Sequence, residues 1–517
     1  MTATQTNQSD AVAFLKTHAS CGASDVDDVI QTHGALVFLH KVEALKIKRA
    51  VKYDYLDFST LELRKEMLHR ELDLNADAAP GLYRDVVPLT RDADGTLALN
   101  GDGAVVEWVL RMTRFPEEAE LSSLAARGLI DTPLANDLGQ SIAQYHQNIK
   151  TRHENARVLI EEIIDELARE MGGMHSQLGH ALIDAFLTAS RTELARVAHV
   201  LENRTQAGWV RRCHGDLHLR NIVMWKGVPT PFDALEFDER LGTCDVLYDL
   251  AFLLMDLSLQ GLNAAANMVL NAYLFHSRTD DHYTGLTALS LFSAVRAGIR
   301  AMVDVQTANV STGAPELIAD AKAVLRQAVA FLEPCAPHLV AIGGLSGSGK
   351  TTVARKIAPH IGAFPGAVHL RSDLERKAYY QVSPLEKLPA AAYQPEVSDK
   401  IYRIMRAKAR LALVSGQAVI LDAVHATPDE RALAAQIAQD AGCDFTGIWL
   451  DAPTSLRVDR VDHRGADASD ADVQIAQRQD SLQTGEIDWH RVDAGQDLAT
   501  LVAQVNAYLP KRNPKRP

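Results

Sequence analysis

The spacing of apolar positions changes twice along the chain, and the changes mark its organisation. Up to about residue 120 apolar residues come in short runs and alternations. These predict strands at 35–40, 44–51, 86–89 and 104–112. Lys41-Val42-Glu43 between the first two reads as a turn, so the pair predicts a hairpin. Helices are expected at 10–20 and at 61–76, the second behind a cap at Ser59 or Thr60. Residues 91–103 read as a polar turn. From Leu121 the period becomes helical. Thr132 as cap and Pro133 at the first helical position open a helix over 132–147, and more follow at 156–171, 180–204 and within 264–330. Beyond a Pro-punctuated linker at 331–337, apolar runs at 338–342, 368–370, 418–422 and 446–451 alternate with helical stretches. That alternation predicts a parallel sheet.

Composition narrows the class. A length of 517 residues sets an expectation of about three domains, and 47% hydrophobic with 23% charged residues is a globular composition. The net charge of −13 gives no sign of a nucleic-acid partner. The tail 511–517 is basic and reads as a solvated terminus. Five cysteines (21, 213, 244, 335 and 443) are scattered without metal spacing, as expected of reduced thiols in a cytoplasmic protein. No run of 18 apolar residues and no signal-type N-terminus occur, so no membrane partner is expected.

The most specific motif is Gly344-Leu345-Ser346-Gly347-Ser348-Gly349-Lys350-Thr351, which fits G-x-x-x-x-G-K-[ST]. It lies between a predicted strand and a helix expected over 351–361. Backbone N–H groups of such a loop cradle phosphates, here from Gly344, Ser346, Gly347, Ser348 and Gly349 into Thr351 and Thr352. Lys350 would reach the β- and γ-phosphates of ATP, and Thr351 would hold Mg²⁺. Asp422, ending the run 418–422, suits a second metal group. Asp373 is either the base that activates an acceptor hydroxyl or a helix cap. Arg376 either holds an acidic substrate or phosphate or is a surface residue. Arg457, Arg460 and Arg464 either neutralise the transferring phosphoryl group or form a solvated helix face; Arg460 and Arg464 share one face by their spacing of four.

A second constellation precedes it. Lys46 and Lys48 lie on one face of the second hairpin strand, either as a solvated face or as a phosphate-binding lysine. Glu71 follows on the next helix, where a kinase-like fold places the lysine's partner. Cys213-His214-Gly215-Asp216-Leu217-His218-Leu219-Arg220-Asn221 contains H-x-D-x-x-x-x-N, the spacing of a kinase catalytic loop. Asp216 would orient or accept the proton of the attacking hydroxyl, Asn221 would ligate Mg²⁺, and Asp233 would be the second metal carboxylate. A metal cluster of His214, Asp216 and His218 is the alternative, with no further ligand at fitting spacing. Asp249, in a buried helix start, is expected behind the catalytic loop rather than on substrate.

His214 to Asn221, Asp233 and Tyr248-Asp249-Leu250-Ala251 resemble the aminoglycoside phosphotransferase family over about residues 30–330. The resemblance implies Lys46 or Lys48 with Glu71 as the phosphate pair, Asp216 as base, and Asn221 and Asp233 as metal ligands. No full G-x-G-x-x-G precedes the hairpin; only Gly34 is near. The P-loop, Arg371-Ser372-Asp373 and the arginine segment resemble small-molecule P-loop kinases such as gluconate and shikimate kinases, and more distantly zeta toxins. The order of the halves resembles bacterial fusions of the two types. The expected architecture is an α+β kinase-like two-lobed domain over 1–335 (N-lobe about 30–115, C-lobe about 116–335) and an α/β P-loop NTPase domain with a parallel sheet over 336–517. The expected function is transfer of phosphate from ATP, with Mg²⁺, to a hydroxyl of a small molecule such as a sugar, an aminoglycoside-like compound or a related metabolite. The alternative is an ATP-dependent regulator with one live half. Oligomeric state is not legible.

Overall fold

The computed structural model of the chain describes residues 8–20, 22–53, 56–310, 314–465 and 467–510. The basic tail at 511–517 and Cys21 lie outside the described residues. The chain divides into two compact units, residues 1–152 with 210–249, and residues 153–209 with 250–517. Compactness thus cuts the helical region differently from the motif-based boundary near residue 335.

The first unit is built on a six-stranded antiparallel sheet, in the order Asp28–Gln31, Ala35–Leu39, Glu43–Lys48, Ala104–Thr113, Tyr83–Arg91, Leu97–Leu99. The hairpin register places Val37 opposite Lys46, and Leu110 pairs with Lys46 from the other side. Along Glu43–Lys48 the faces alternate: Leu45 and Ile47 enter an apolar cluster with Phe38, Val87, Leu89 and Val109. Lys46 and Lys48 take the opposite face, and the whole strand is buried. The helix Leu61–Asn75 starts at Thr60, whose hydroxyl accepts from Leu63 N. Its Leu68 packs with Leu82, Tyr83, Leu110 and Val223.

Two local readings are corrected. The expected polar turn 91–103 contains the strand Leu97–Leu99, paired with Leu89–Arg91; its three residues are too few to show a period. The helix Thr132–Asn148 is capped by Asp131, one residue earlier than expected, because the Asp131 carboxylate accepts from Leu134 N. Residues 210–249 add two small antiparallel pairs, Val210–Arg212 with Thr243–Asp245 and Ile222–Trp225 with Val228–Pro231.

The second unit joins helices to a parallel sheet. Its helices include Ala156–Met171, His180–Gln206, Asn263–Ser277, Leu289–Val310 and Ala314–Phe331. The stretch Asp281–Asn309 is long and apolar enough to cross a membrane by length and composition, but 67% of its apolar 18-residue window is buried inside the protein. The sheet runs Val368–Arg371, Val419–Asp422, His338–Gly343, Asp444–Asp451, His490–Asp493, all parallel. Its core joins Val340, Ile342, Ile420, Ile448 and Val492 of the strands to Val353, Ile357 and Leu501 of flanking helices. The helix after the glycine loop is Lys350–Ile357, followed by a 3₁₀ turn at Ala358–His360, where the expected helix had run on to 361.

Gly447 lies in the strand Asp444–Asp451, where an added Cβ would stand 2.4 Å from Trp489 Cγ. Gly447→Ala is expected to destabilise by about 1–3 kcal/mol through overpacking, read as a lower urea midpoint. Gly465→Ala, whose Cβ would meet nothing within 4 Å, is the control and should leave the midpoint unchanged.

Candidate functional site

In the first unit the sheet, the helix Leu61–Asn75 and the loop after Pro231 converge on two lysines. Lys46 Nζ donates to Glu71 Oε1 and to Asp233 Oδ1, both at 2.7 Å. Lys48 Nζ donates to Glu71 Oε2 at 2.6 Å and to Glu236 Oε1 at 2.5 Å. The solvated-face alternative is thereby removed: the two lysines are 8% and 2% exposed, and Glu71 is fully buried. Of the two, Lys46 reaches the metal-type carboxylate, while Lys48 sits deeper between two glutamates. Glu236 was missed by sequence reasoning. A lone glutamate three residues after Asp233 has no spacing signal of its own.

Electrostatics follow the geometry. Burial disfavours charge on Lys46, but Asp233, Glu71 and Glu236 outweigh it and raise its pKa well above the ordinary lysine value. Burial would likewise raise Asp233; the charge and hydrogen bond of Lys46, with Lys48 and His214 behind, hold it down at about 2. The Asp233 side chain keeps 44% exposure. Its backbone is left-handed, φ 60°, and its N–H donates to the Tyr83 hydroxyl at 2.9 Å. This fixes an uncommon conformation at the point where the carboxylate turns toward Lys46.

The catalytic-loop residues assemble beside it. Asn221 Nδ2 donates to the Asp216 backbone O at 2.9 Å and to its Oδ2 at 2.8 Å. His218 Nε2 lies 3.3 Å from the same carboxylate oxygen. His214 Nε2 donates to Phe232 O at 2.8 Å, and burial lowers its pKa, so it is a neutral strut between the loop and the Asp233 segment. Asp249 accepts from the backbone N–H groups of His214 (3.2 Å) and Gly215 (2.9 Å), which puts it behind the loop. The one grouping of metal-type ligands among the described residues is His146, Cys213 and Asp249, not His214, Asp216 and His218. Asp249 there is occupied by the loop amides and by His146 Nε2 at 3.1 Å.

In the second unit the strand His338–Gly343 runs into the glycine loop. Gly344, Gly347 and Gly349 have φ of 136°, 84° and 93°. A Cβ on Gly347 would stand 2.4 Å from Arg457 O, so the loop needs glycine for both conformation and space. Lys350 Nζ folds onto the loop, donating to Gly344 O at 2.7 Å and Leu345 O at 3.1 Å. Burial lowers its pKa, opposed by Asp422 and Asp373. Ser346 N donates to Gln479 Oε1 at 2.7 Å, so one loop amide already grips an oxygen. Ser348 Oγ is buried without a protein partner. Thr351 and Thr352 line the adjoining cleft of about 920 Å³. These groups fit a bound phosphate chain.

Thr351 Oγ1 donates to Asp422 Oδ2 at 2.7 Å, and His369 Nε2 meets the same oxygen at 3.1 Å. Because the carboxylate can only accept, the His369 proton is on Nε2. Burial would raise the Asp422 pKa, but His369, Arg371 and Lys350 hold it well below the usual carboxylate range. A hydroxyl and an ionised carboxylate side by side are the hard oxygen donors Mg²⁺ takes. Asp373 lines the same cleft; burial raises its pKa, with Arg371 opposing and Asp422 reinforcing. The helix Ser372–Tyr379 is entered at Arg371 with no side-chain cap, so Asp373 does not cap it. Arg376 is buried, donating to Ala392 O at 2.5 Å and lying 4.7 Å over the Tyr393 ring, which removes the surface reading.

The arginine segment, Thr454–Asp462 and its exit, divides. Arg457 is buried, bonded to Ser346 O at 3.2 Å and Ala476 O at 3.1 Å and paired with Asp480, so it braces the loop from behind. Arg460 and Arg464 line the cleft, each tied to a backbone carbonyl, Ala494 O at 2.8 Å and Ala471 O at 3.0 Å.

Comparison with known proteins places a family match within the second unit. The AAA domain family matches residues 339–486. Uncharacterized proteins of Mycobacterium tuberculosis (strain ATCC 25618 / H37Rv) and Mycobacterium bovis (strain ATCC BAA-935 / AF2122/97) are each 28% identical over 491 residues, 90% of this chain and 92% of theirs. Similar solved structures include a choline/ethanolamine kinase family protein from Mesorhizobium loti, 14% identical, TM-score 0.36, over 63% of this chain and 95% of that one. A gluconokinase from Sinorhizobium meliloti 1021 is 22% identical, TM-score 0.24, over 33% of this chain and 91% of that one. The chain carries a unit built on an antiparallel sheet and, over residues 339–486, a match to the AAA domain family that spans the P-loop and most of the five-stranded parallel sheet.

The Asp233 shift has a sign that can be measured. A carboxyl whose folded pKa is about 2 against an ordinary 3.8 contributes stability that is present above 3.8 and lost as pH falls toward 2. Lys46→Met removes the partner. The stability difference between wild type and Lys46→Met in urea titrations should be full at neutral pH and shrink between those two values.

Proposed function

We propose that the chain is an ATP-dependent phosphotransferase with two nucleotide sites, each passing the γ-phosphate of ATP to a hydroxyl of a small molecule. The observation that supports this reading is that each half holds its own lysine and its own cluster of carboxylates with a hydroxyl or amide beside them. Lys46 stands with Asp233, near Asp216 and Asn221; Lys350 stands in the loop whose helix brings Thr351 to Asp422. Neither set lacks a part that the other would have to donate. In the first, Asp216 takes the acceptor's hydroxyl proton, while Asn221 and Asp233 would hold Mg²⁺. In the second, Asp373 takes the proton, and its raised pKa makes it a stronger base than the neighbouring Asp422, whose pKa is lowered. Thr351 and Asp422 would hold Mg²⁺ there, with Lys350, Arg460 and Arg464 beside the transferring group and Arg376 beside the acceptor. Bound Mg²⁺ neutralises charge on the phosphates.

A small-molecule hydroxyl compound is the partner in this reading, with no nucleic acid and no membrane. The free thiols of Cys213, Cys244, Cys335 and Cys443 suit the cytoplasm. A regulator with one live half is the second reading, and stoichiometry separates the two. Calorimetric titration of the full chain with a non-hydrolysable ATP analogue and Mg²⁺ should give two equivalents. Lys350→Ala should remove or greatly weaken one, and Asp233→Ala the other. A single equivalent in fully folded wild type overturns two working sites.

Turnover gives the second check. Asp216→Ala in a Lys350→Ala chain should abolish the remaining phosphotransfer while leaving nucleotide binding largely intact. Asp373→Asn should spare ATP affinity and slow the P-loop half by about 10²–10⁴-fold, the range of a lost general base. Unchanged turnover in either variant removes that residue from its role.

A further inference from the structure

The strand Val368–Arg371 is the edge of the parallel sheet, paired on one side to Val419–Asp422. Its other side presents backbone groups that a further strand would pair. Here a helix pairs them. Asn271, on the helix Asn263–Ser277, accepts from His369 N at 2.7 Å through Oδ1 and donates to Ala367 O at 3.2 Å through Nδ2. One carboxamide thus does what a residue of a neighbouring strand would do, bonding the residue just before the strand, Ala367, and the one two further on, His369. Asn267, one turn earlier, donates to the same Ala367 O at 3.0 Å and is itself 4% exposed. This helix lies outside the segment 339–486 matched by the AAA domain family.

The residue held at that edge is the one whose ring reaches the centre of the P-loop site. His369 Nε2 and Thr351 Oγ1 converge on Asp422 Oδ2, from 3.1 Å and 2.7 Å. The His369 and Asp422 side chains are 6% and 4% exposed, so the contact between them is shielded from water. A carboxylate held by two hydrogen bonds has one orientation; left with the Thr351 hydrogen bond and the longer contact to Arg371 Nε at 3.8 Å, it has more freedom to rotate about its side-chain bond. Outer-shell donors of this kind orient metal-binding carboxylates.

We propose that His369 is a positioning residue for Asp422, and that Asn271, from outside the P-loop domain, sets His369 by pairing the edge of its strand. The inference rests on the P-loop half binding ATP with Mg²⁺ through Thr351 and Asp422. It adds a dependence of that site on residues of the preceding helical region.

The test uses the full chain in the Asp233→Ala background, so that the P-loop site is the one read. Binding of a non-hydrolysable ATP analogue is measured by calorimetry in EDTA and again in Mg²⁺. Affinity in EDTA reports the phosphate loop; the gain on adding Mg²⁺ reports Asp422. His369→Leu should reduce the gain about ten- to a hundredfold and leave the EDTA affinity unchanged. His369→Gln, which keeps an N–H donor, should restore most of it. Asn271→Ala should lower the gain in the same direction, and the double variant should fall no further than His369→Leu alone, because both act through one link. A gain untouched by His369→Leu, or equally lost in His369→Gln, overturns the role of His369. Additive losses overturn the link from Asn271. No nucleotide binding in the parent chain overturns the ATP reading itself and the inference with it.

Discussion

Glu71 is fully buried and receives two ammonium groups, Lys46 at 2.7 Å and Lys48 at 2.6 Å. Much of the first unit follows from that arrangement. Two cations on one carboxylate leave an excess positive charge, and Asp233 and Glu236 more than offset it from a segment more than 150 residues away in the chain. Taking one member out strands the others in a medium that does not solvate them, at a cost of about 3–5 kcal/mol for a buried pair. The network also sets register. A slip of one residue along Glu43–Lys48 would put both lysines into the cluster that holds Leu45 and Ile47.

The second unit meets charge differently. Lys350 bonds two carbonyls of its own loop, and Gln479 supplies an oxygen to Ser346 N. The loop is therefore already in its cradle conformation, with side-chain and backbone groups on the donors that a phosphate chain would take. Arg457, buried against Ser346 O and Ala476 O, holds the loop and the Gln479 segment in one frame. Binding then exchanges hydrogen-bond partners in a folded site rather than building the site anew.

The legible parts of the sequence were those where chemistry and period coincide. The lysine strand, the helix carrying Glu71, and the strand–loop–helix around Lys350 could each be read because residue type and spacing point the same way. The illegible parts depend on partners far apart in the chain. Nothing near Glu236 announces a partner at Lys48, and nothing near Asn271 announces a strand edge at His369. The choice between Lys46 and Lys48 was open for the same reason: both share a face, and what separates them is which carboxylate arrives from residues 231–238. Arg457 belongs to this class too, since a charged side chain gives no hint of burial until the carbonyls of Ser346 and Ala476 meet it. Leu97–Leu99 was missed because a short edge strand takes its order from the neighbour it pairs with.

The asparagine-covered edge also bears on where this polypeptide can be cut. The match to the AAA domain family begins at residue 339 and the linker ends just before it, which invites excision of the C-terminal segment alone. Such a fragment would leave behind Asn267 and Asn271 and bare the outward groups of Ala367 and His369. A parallel sheet stripped along one side offers its backbone to any extended chain, another copy included. The helix Asn263–Ser277 is thus a shield against self-association as much as a wall of the fold, and a fragment meant to stay dispersed must retain it.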